Sequence, residues 1–310
     1  MKTFLRISLL IAIAFALLLP ALCDAAPCGN CKTCPYASQC AQKQDGMIQV
    51  KPAFGSIVAC RMANYGGDQD AESSFAHVAE AGFKYVFMNI VPPDKIDATK
   101  EKLARHGLKV AVFRGDTDFA RESSVDELAQ QLATCRKMGV KYMFLSPKHT
   151  GVPKEVAIER LKKVGPIAQK HGVIIGLETH PDLGTNGDEH VRTMKAIDHP
   201  NIRVNFDCAN ITFYNKDTDA VTELKKCIDY VGTFEIKDHD GEFESWHFPA
   251  LGEGTLDIPA VLKMLKDHGY RGPITLEIEG IKGVSRTKEQ VKKDIEVSAE
   301  YIRDLLRKLK

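Results

Sequence analysis

Four carboxylate side chains end or follow apolar, strand-like runs in the second half of the sequence. Glu178 closes VIIGLE, Asp207 closes IRVNFD, and Glu277 lies in ITLEIE. The fourth is Glu235 or Asp238, in the run TFEIKD. Spacings of roughly 30 to 40 residues correspond to one strand-and-helix unit each, so a barrel would gather these side chains at one mouth.

Carboxylates that converge raise one another's pKa unless a cation lies among them. An oxygen-rich set with few imidazoles favours Mn²⁺ or Mg²⁺ over a thiolate-preferring metal. Alternation along ITLEIE places Glu277 and Glu279 on the same face of a strand. We therefore interpret Glu277 as a ligand of one divalent metal ion, and Glu279 as a residue that supports it or faces a neighbouring polar group.

From residue 56 onward, short apolar runs alternate with longer amphipathic runs. This alternation predicts a parallel sheet, and eight strand-like runs are the number that closes a (β/α)8 TIM barrel. A doubly wound open sheet is the alternative. The predicted strands are 56–60, 85–90, 109–113, 142–146, 173–178, 202–207, 232–237 and 274–279.

The helical runs between these strands carry start and stop signals. In SSVDELAQQLATCRKMG, Ser124 and Glu127 form a capping-box pattern and Gly139 marks the end. Apolar residues recur at helical spacing in VAIERLKKVGPIAQKHG, IPAVLKMLKDHG and the final KEQVKKDIEVSAEYIRDLLRKL. These segments are predicted to be helices that cover the sheet.

The charge balance gives no reason to expect nucleic acid or a membrane surface as a partner. The chain has 42 basic and 41 acidic residues and a formal net charge of +1. We expect a small molecule to bind instead.

The N-terminus resembles an export signal. MKTFLR is basic, ISLLIAIAFALLLPALC is apolar, and small residues follow in CDAAP. This pattern predicts a signal peptide over residues 1–25 and an exported protein, periplasmic or secreted, whose mature chain has no membrane span. An uncleaved N-terminal anchor is the alternative, because the apolar run approaches the length that spans a bilayer.

A Cys-rich segment, residues 26–54, separates this signal from a barrel domain predicted over residues 55–310. It contains Cys28, Cys31, Cys34 and Cys40. In an oxidising compartment two disulfides are expected, although a site for zinc or an iron–sulfur cluster and a free redox or anchoring segment remain alternatives. The later cysteines lie in apolar runs and are interpreted as buried small hydrophobic residues, namely Cys60, Cys135, Cys208 and Cys227.

Several motifs together resemble the xylose-isomerase-like TIM barrels, also called sugar phosphate isomerases/epimerases. The longest is LGEGTLDIPAVLKMLKDHGYRGPITLEIEG, residues 251–280. GLETH, NFDCAN and EIKD resemble the family's signatures on strands five, six and seven, in that order. The resemblance covers about residues 55–308 and implies a TIM barrel, without identifying the substrate.

The resemblance implies one divalent metal ion held by Glu178, Asp207, Glu277 and a histidine on strand seven. Here Glu235 occupies the position of that histidine. We expect Glu235 to complete a four-carboxylate site, with His239 or His180 as substitutes. A site that binds metal poorly and has lost its activity is the third possibility.

The chemistry implied by the resemblance is isomerisation or epimerisation of a sugar-like ketone through an enediolate. Glu178 and Glu277 would remove and return the proton. Loss of a β-oxygen from the same intermediate would make the enzyme a lyase or dehydratase that acts on a 3-keto sugar or inosose. Export argues against a phosphorylated substrate.

Other polar residues near the predicted strand ends are candidates for binding the carbohydrate substrate. The set is His180, Asn210, Lys237, His239 and His247. An abasic-site nuclease is disfavoured, because few histidines end the strands and there is no excess of basic residues. A sugar-binding barrel without catalytic activity is the alternative outside the enzymes. A homodimer is expected, because related barrels often dimerise.

Overall fold

Eight parallel strands close into a barrel in this computed structural model, which describes residues 52–309. Each strand pairs with the next along the chain, and the last pairs with both the first and the seventh. The barrel strands are β1 (Val58–Arg61), β2 (Tyr85–Asn89), β3 (Lys109–Arg114), β4 (Tyr142–Leu145), β5 (Ile174–Glu178), β6 (Ile202–Asp207), β7 (Val231–Ile236) and β9 (Ile274–Leu276).

The TIM barrel predicted from the alternating runs is therefore confirmed, and the open sheet is wrong. The last barrel strand is shorter than predicted, so Glu277 and Glu279 follow its end rather than lie within it. Two short strands, β8 (His247–Phe248) and β10 (Gly280–Ile281), form a separate antiparallel ribbon outside the barrel sheet.

Helices connect the strands, as the amphipathic runs predict. They are α1 (Glu72–Glu80), α2 (Ile96–Arg105), α3 (Ser124–Met138), α4 (Lys154–His171), α5 (Gly187–Ile197), α6 (Cys208–Tyr214), α7 (Ala220–Cys227), α8 (Ile258–Asp267) and α9 (Lys288–Lys308). Short 3₁₀ turns cover Met62–Asp68, Pro93–Lys95 and Ile228–Tyr230. None of the helices within residues 52–309 has both the length and the apolar character needed to span a membrane.

The start of α3 differs from the sequence prediction, whereas its end agrees. The capping box at Ser124 is wrong, because Ser123 is the N-terminal cap residue and its side chain caps no backbone amide. Glu127 instead accepts hydrogen bonds from the side chains of Ser123, Thr117 and Arg121, and these loop contacts outcompete the box. Gly139 ends the helix in the left-handed conformation, as predicted.

The main apolar core includes most of the buried hydrophobic side chains of the strands and helices. A second, smaller cluster contains Ala59, Phe87, Ala111, Val112 and Phe144. The four later cysteines are buried and unpaired, which agrees with their interpretation as small hydrophobic residues. The predicted signal peptide and the Cys-rich segment up to residue 51 lie outside the described residues.

Candidate metal and active site

A cavity of about 640 Å³ opens at the carboxyl ends of the barrel strands. This is the end at which TIM-barrel enzymes place their active sites. Its polar wall includes Glu178, His180, Asn210, Lys237 and Glu277, all of which the sequence assigns to the site. Further lining residues include Arg61, Arg114, Lys148, His149, Phe213, Tyr214, Trp246, Phe248 and Glu279.

Three buried carboxylates form the centre of the site. Asp207, Glu235 and Glu277 each place one oxygen within 4.8 Å of the others. The strand register explains this proximity, because Asp207 pairs directly with Glu235 and the backbone amide of Glu277 bonds to Ile236 on the same neighbouring strand. Glu178 faces the cavity but lies outside this set of three.

Asp207 is the last residue of β6 and the N-terminal cap residue of α6. Its Oδ1 accepts hydrogen bonds from the backbone amides of Ala209 (2.9 Å) and Asn210 (3.0 Å), which caps the helix. Its Oδ2 is buried and has no hydrogen-bond partner. One oxygen is thus used for structure, and the other remains available to a ligand.

Arg61, at the end of β1, is one of two cations that meet the triad. Its Nη1 lies 2.7 Å from Oε1 of Glu235 and also contacts Oε1 of Glu277. Its guanidinium lies over the rings of Phe87 (4.8 Å) and Phe144 (5.0 Å), within the range of cation–π attraction.

Lys237, just after β7, is the second cation and is almost completely buried. Its Nζ lies 3.1 Å from Oε2 of Glu277 and 3.5 Å from Oδ2 of Asp207. It also contacts Glu279 and donates a hydrogen bond to Oδ1 of Asn210 (3.1 Å). Arg61 and Lys237 therefore compensate part of the negative charge of these buried carboxylates.

The pKa values within the cluster diverge. Burial raises the pKa of Asp207, and raises that of Glu235 well above its ordinary value even with Arg61 in contact. Burial also acts on Glu277, but Arg61 and Lys237 together hold its pKa below the ordinary value. Burial would lower the pKa of Lys237, yet its carboxylate neighbours raise it, so the ammonium stays charged.

The predicted substrate residues divide into two groups. His180 and Asn210 line the cavity together with Lys237. Asn210 donates to the carbonyl of Thr179 (3.0 Å) and accepts from Lys237, so its amide is fixed. His180 packs edge-on against Tyr214, with ring centroids 5.0 Å apart.

His239 and His247 do not line this cavity. Nδ1 of His239 lies 2.8 Å from the hydroxyl of Thr212 on α6, and Nε2 lies 2.7 Å from the carbonyl of Ser245, so both ring nitrogens have partners within the protein. His247 is partly exposed, and its Nδ1 lies 3.7 Å from Asp240.

Asp238, the other carboxylate of the run TFEIKD, is hydrogen-bonded to the loop that carries GEG. Its Oδ2 accepts hydrogen bonds from the backbone amides of Gly252 (2.8 Å) and Gly254 (3.1 Å). A Cβ at Gly254 would lie 2.2 Å from Oδ1 of Asp238, so the close approach requires glycine. Asp238 thus organises the loop, whereas Glu235 joins the triad.

Sequence reasoning did not assign a role to Arg61, Asn205 or Thr233. Arg61 is visible in the sequence only as a polar residue at a strand end. Asn205 and Thr233 lie within strands and pair directly across the β6–β7 register. Alternation along the strands places Asn205 on the same face as Asp207, and Thr233 on the same face as Glu235. This pattern could have identified both residues as neighbours of the site.

The donor set fits a divalent cation that prefers oxygen. The triad offers three carboxylates, and Oδ2 of Asp207 is a buried acceptor that lacks a donor. With Glu178 and Glu279, five carboxylates face two buried cations, so a doubly charged ion would bring the cluster closer to neutrality. Hard oxygen donors of this kind suit Mn²⁺ or Mg²⁺.

The sequence is similar to those of several known proteins, two of which are named as an isomerase and an epimerase. The chain is 27% identical over 169 residues to an inosose isomerase of Bacillus velezensis, covering 50% of this chain and 59% of that protein. It is 25% identical over 232 residues to an L-ribulose 3-epimerase of Methylomonas sp., covering 67% and 78%. It spans about half the length (49%) of another curated relative that it matches, an uncharacterized protein of Methanocaldococcus jannaschii.

Among solved structures, a TIM-barrel protein from Mycobacterium smegmatis in complex with magnesium superposes with a TM-score of 0.66 at 18% identity. This likeness covers 82% of this chain and 97% of that one, and it concerns the fold. The family model of the xylose isomerase-like TIM barrel matches residues 75–305. Since that match extends over most of the chain and over every barrel strand except β1, the protein belongs to the xylose isomerase-like TIM barrel family.

Proposed function

We propose that this protein is a divalent-metal-dependent isomerase or epimerase of a sugar or keto sugar, which works through an enediolate. The supporting observation is the placement of Glu178, Lys237 and Glu277 on one cavity, with the free oxygen of buried Asp207 beside Lys237. The inosose isomerase and L-ribulose 3-epimerase to which the chain is similar belong to the same reaction class.

Mn²⁺ or Mg²⁺ is the proposed cofactor. Glu178, Asp207 and Glu277 would hold it, and Glu235 is the fourth carboxylate that the sequence assigns to the site. When bound, a divalent ion polarises a carbonyl oxygen and an adjacent hydroxyl, which makes the intervening C–H bond more acidic.

The carboxylates of Glu178 and Glu277 would move the proton. One accepts it from the substrate carbon, and the other, on the opposite face of the bound sugar, returns a proton. Return to the same carbon inverts that centre, whereas return to the neighbouring carbon moves the carbonyl. Lys237 and Asn210 would orient the substrate, and the charge of Lys237 would stabilise negative charge that develops on its oxygen.

One observation favours a second candidate, a sugar-binding barrel without catalytic activity. Arg61 and Lys237 already form ion pairs with all three carboxylates of the triad. A cluster neutralised in this way could bind a sugar without a metal ion. The two candidates are distinguished by whether the purified protein binds a metal ion and catalyses exchange of a sugar α-proton with solvent.

Proton NMR in D₂O with Mg²⁺ tests the proposal, using a panel of free ketoses, 3-keto sugars and inososes. We expect one α-proton signal to disappear, and the exchange rate to fall by about 10²–10⁴ in Glu178→Gln and in Glu277→Gln. Glu159→Gln, on an exposed helix face, is the matched control and should exchange like the wild type.

The product spectrum separates an epimer, an isomer and an eliminated product, and only the last would indicate a lyase. Chelation of the metal should stop the exchange, and its return should restore it. Exchange that persists in the chelated protein would contradict metal dependence. Binding of a sugar without any exchange or bound metal would favour the inactive barrel.

We further propose that the protein is exported and acts on an unphosphorylated sugar as a homodimer. The support for export is the basic and apolar pattern of residues 1–25. Mass spectrometry of the mature N-terminus tests export, light scattering of the purified protein tests dimerisation, and phosphorylated ketoses added to the NMR panel test the preference for a free sugar.

A further inference from the structure

Glu235 stands where the family resemblance leads us to expect a histidine ligand, but both of its oxygens already have protein donors. Oε1 lies 2.7 Å from Nη1 of Arg61, and Oε2 accepts a hydrogen bond from Nδ2 of Asn205 at 3.1 Å. Its side chain is fully buried and does not line the cavity.

The polar contacts of Glu235 extend into the interior of the barrel. Asn205 is itself fixed, because the hydroxyl of Thr233 donates to its Oδ1 at 2.7 Å. Gly176 makes room for this pair, since a Cβ there would lie 2.2 Å from Oγ1 of Thr233. The Glu235 carboxylate is therefore held outside the cavity lining by Asn205, whose own position is fixed by Thr233.

Arg61 is held equally firmly on its other sides. The rings of Phe87 and Phe144 lie against the guanidinium, and Glu277 contacts the same Nη1 atom that Glu235 contacts. Arg61 also lines the cavity, so its charge is presented to whatever binds there. A guanidinium with carboxylates on one side and aromatic rings on the other has little freedom to leave.

The other candidate ligands differ from Glu235 in position. Oδ2 of Asp207 accepts no hydrogen bond, and Nζ of Lys237 lies 3.5 Å from it. Arg61 and Lys237 contact the two oxygens of Glu277 as well. Glu277 and Glu178 nevertheless line the cavity where an ion would enter, whereas Glu235 does not. We propose that Glu235 is the counter-ion that fixes Arg61 at the barrel mouth and is not a metal ligand, so that only Glu178, Asp207 and Glu277 bind the ion. This inference rests on the proposed metal-dependent function.

The double variant Arg61→Met/Glu235→Met tests the inference, because it removes a neutral ion pair and leaves the net charge of the cluster unchanged. Isothermal titration calorimetry with Mn²⁺ measures the affinity in the absence of any sugar. Loss of a partner outside the coordination sphere typically costs about 10- to 100-fold in metal affinity, and we expect the double variant to lose no more than that. Asp207→Asn, which replaces a ligand, should lose more affinity than the double variant. Lys263→Gln/Asp267→Asn, an exposed ion pair on α8, is the matched control.

Urea unfolding of the metal-free protein tests the ion pair itself. We expect the midpoint for the double variant to lie above the midpoints for Arg61→Met and Glu235→Met, since each single change leaves a buried charge without its partner. Nitrogen-detected NMR should show separate Nη signals for Arg61 in the wild type, and these should merge in Glu235→Gln as the guanidinium gains rotation.

Loss of Mn²⁺ affinity in the double variant as large as in Asp207→Asn would overturn the inference, since Glu235 would then be a ligand. A double variant less stable than both single variants would also overturn it. If the wild type binds no Mn²⁺, the proposed metal dependence fails, and the unfolding and NMR results still decide whether Glu235 fixes Arg61.

Discussion

The ammonium nitrogen of Lys237 lies 3.1 Å from Oε2 of Glu277, across the contact between β7 and β9. The same nitrogen lies 3.5 Å from Oδ2 of Asp207 and also contacts Glu279. A single buried cation thus meets carboxylates from two strand ends. The two acidic residues of the run LEIEG, which would be unfavourable in an apolar strand, are stabilised by this contact.

Replacement of Lys237 by methionine should strongly destabilise the metal-free protein. Breaking a buried ion pair typically lowers the free energy of unfolding by about 3–5 kcal/mol, because an uncompensated charge remains. Urea denaturation measures the change, and Mn²⁺ should recover part of it. Lys263→Met, at an exposed pair on α8, should change stability little. Equal effects of the two substitutions would contradict this account.

His190 should make the protein less stable as the pH falls. Burial lowers the pKa of His190 to about 3, against an ordinary value of 6.5. Below pH 6.5 the unfolded chain binds a proton that the folded protein does not, so its contribution to stability is lost progressively between pH 6.5 and about 3.

Thermal melts across this pH range test the contribution of His190. Nε2 of His190 lies 3.0 Å from the hydroxyl of Thr179, and glutamine can keep that contact without titrating. The curve of His190→Gln should therefore fall less steeply than that of the wild type. His268→Gln, at a largely exposed site, is the control. Parallel curves for His190→Gln and the wild type would show that His190 does not cause the dependence.

Gly176→Ala should disturb the polar interior of the barrel. The new Cβ would lie 2.2 Å from Oγ1 of Thr233 and 3.2 Å from Cβ of Asn205, so either the Thr233 side chain must rotate away from Asn205 or a strand must shift. Overpacking of this kind costs about 1–3 kcal/mol. The midpoint of urea unfolding should fall accordingly.

Gly67→Ala is the matched control for Gly176→Ala, because a Cβ at Gly67 meets no atom within 4 Å. A similar loss of stability in the two variants would show that the backbone, and not the contact with Thr233, is responsible.

The four described cysteines should resist alkylation in the folded protein. Burial raises the pKa of Cys60, Cys135 and Cys227 to about 12, and raises that of Cys208 as well. At pH 8 these thiols are protonated and inaccessible, so iodoacetamide should not modify them. Peptide mass spectrometry before and after denaturation measures each site, and rapid modification of the native protein would contradict their burial.

Much of the fold could be predicted from the sequence, because apolar runs and amphipathic runs alternate with little interruption. The positions of Glu178, Asp207 and Glu277 at or just beyond strand ends follow from the same pattern, since parallel strands bring their carboxyl ends to one side. The capping box at Ser124 failed because the competing partners of Glu127, Thr117 and Arg121, are set by the conformation of the preceding loop.

The sequence by itself determined the barrel, the order of its strands and the set of carboxylates at its mouth, because these depend on local periodicity and chain topology. The tertiary structure decided which charges meet. Arg61 and Glu235 are joined by the closure of the barrel, which brings the first strand next to the last and within reach of the seventh. Such pairs depend on distances across the closed sheet, and no local pattern in the sequence encodes them.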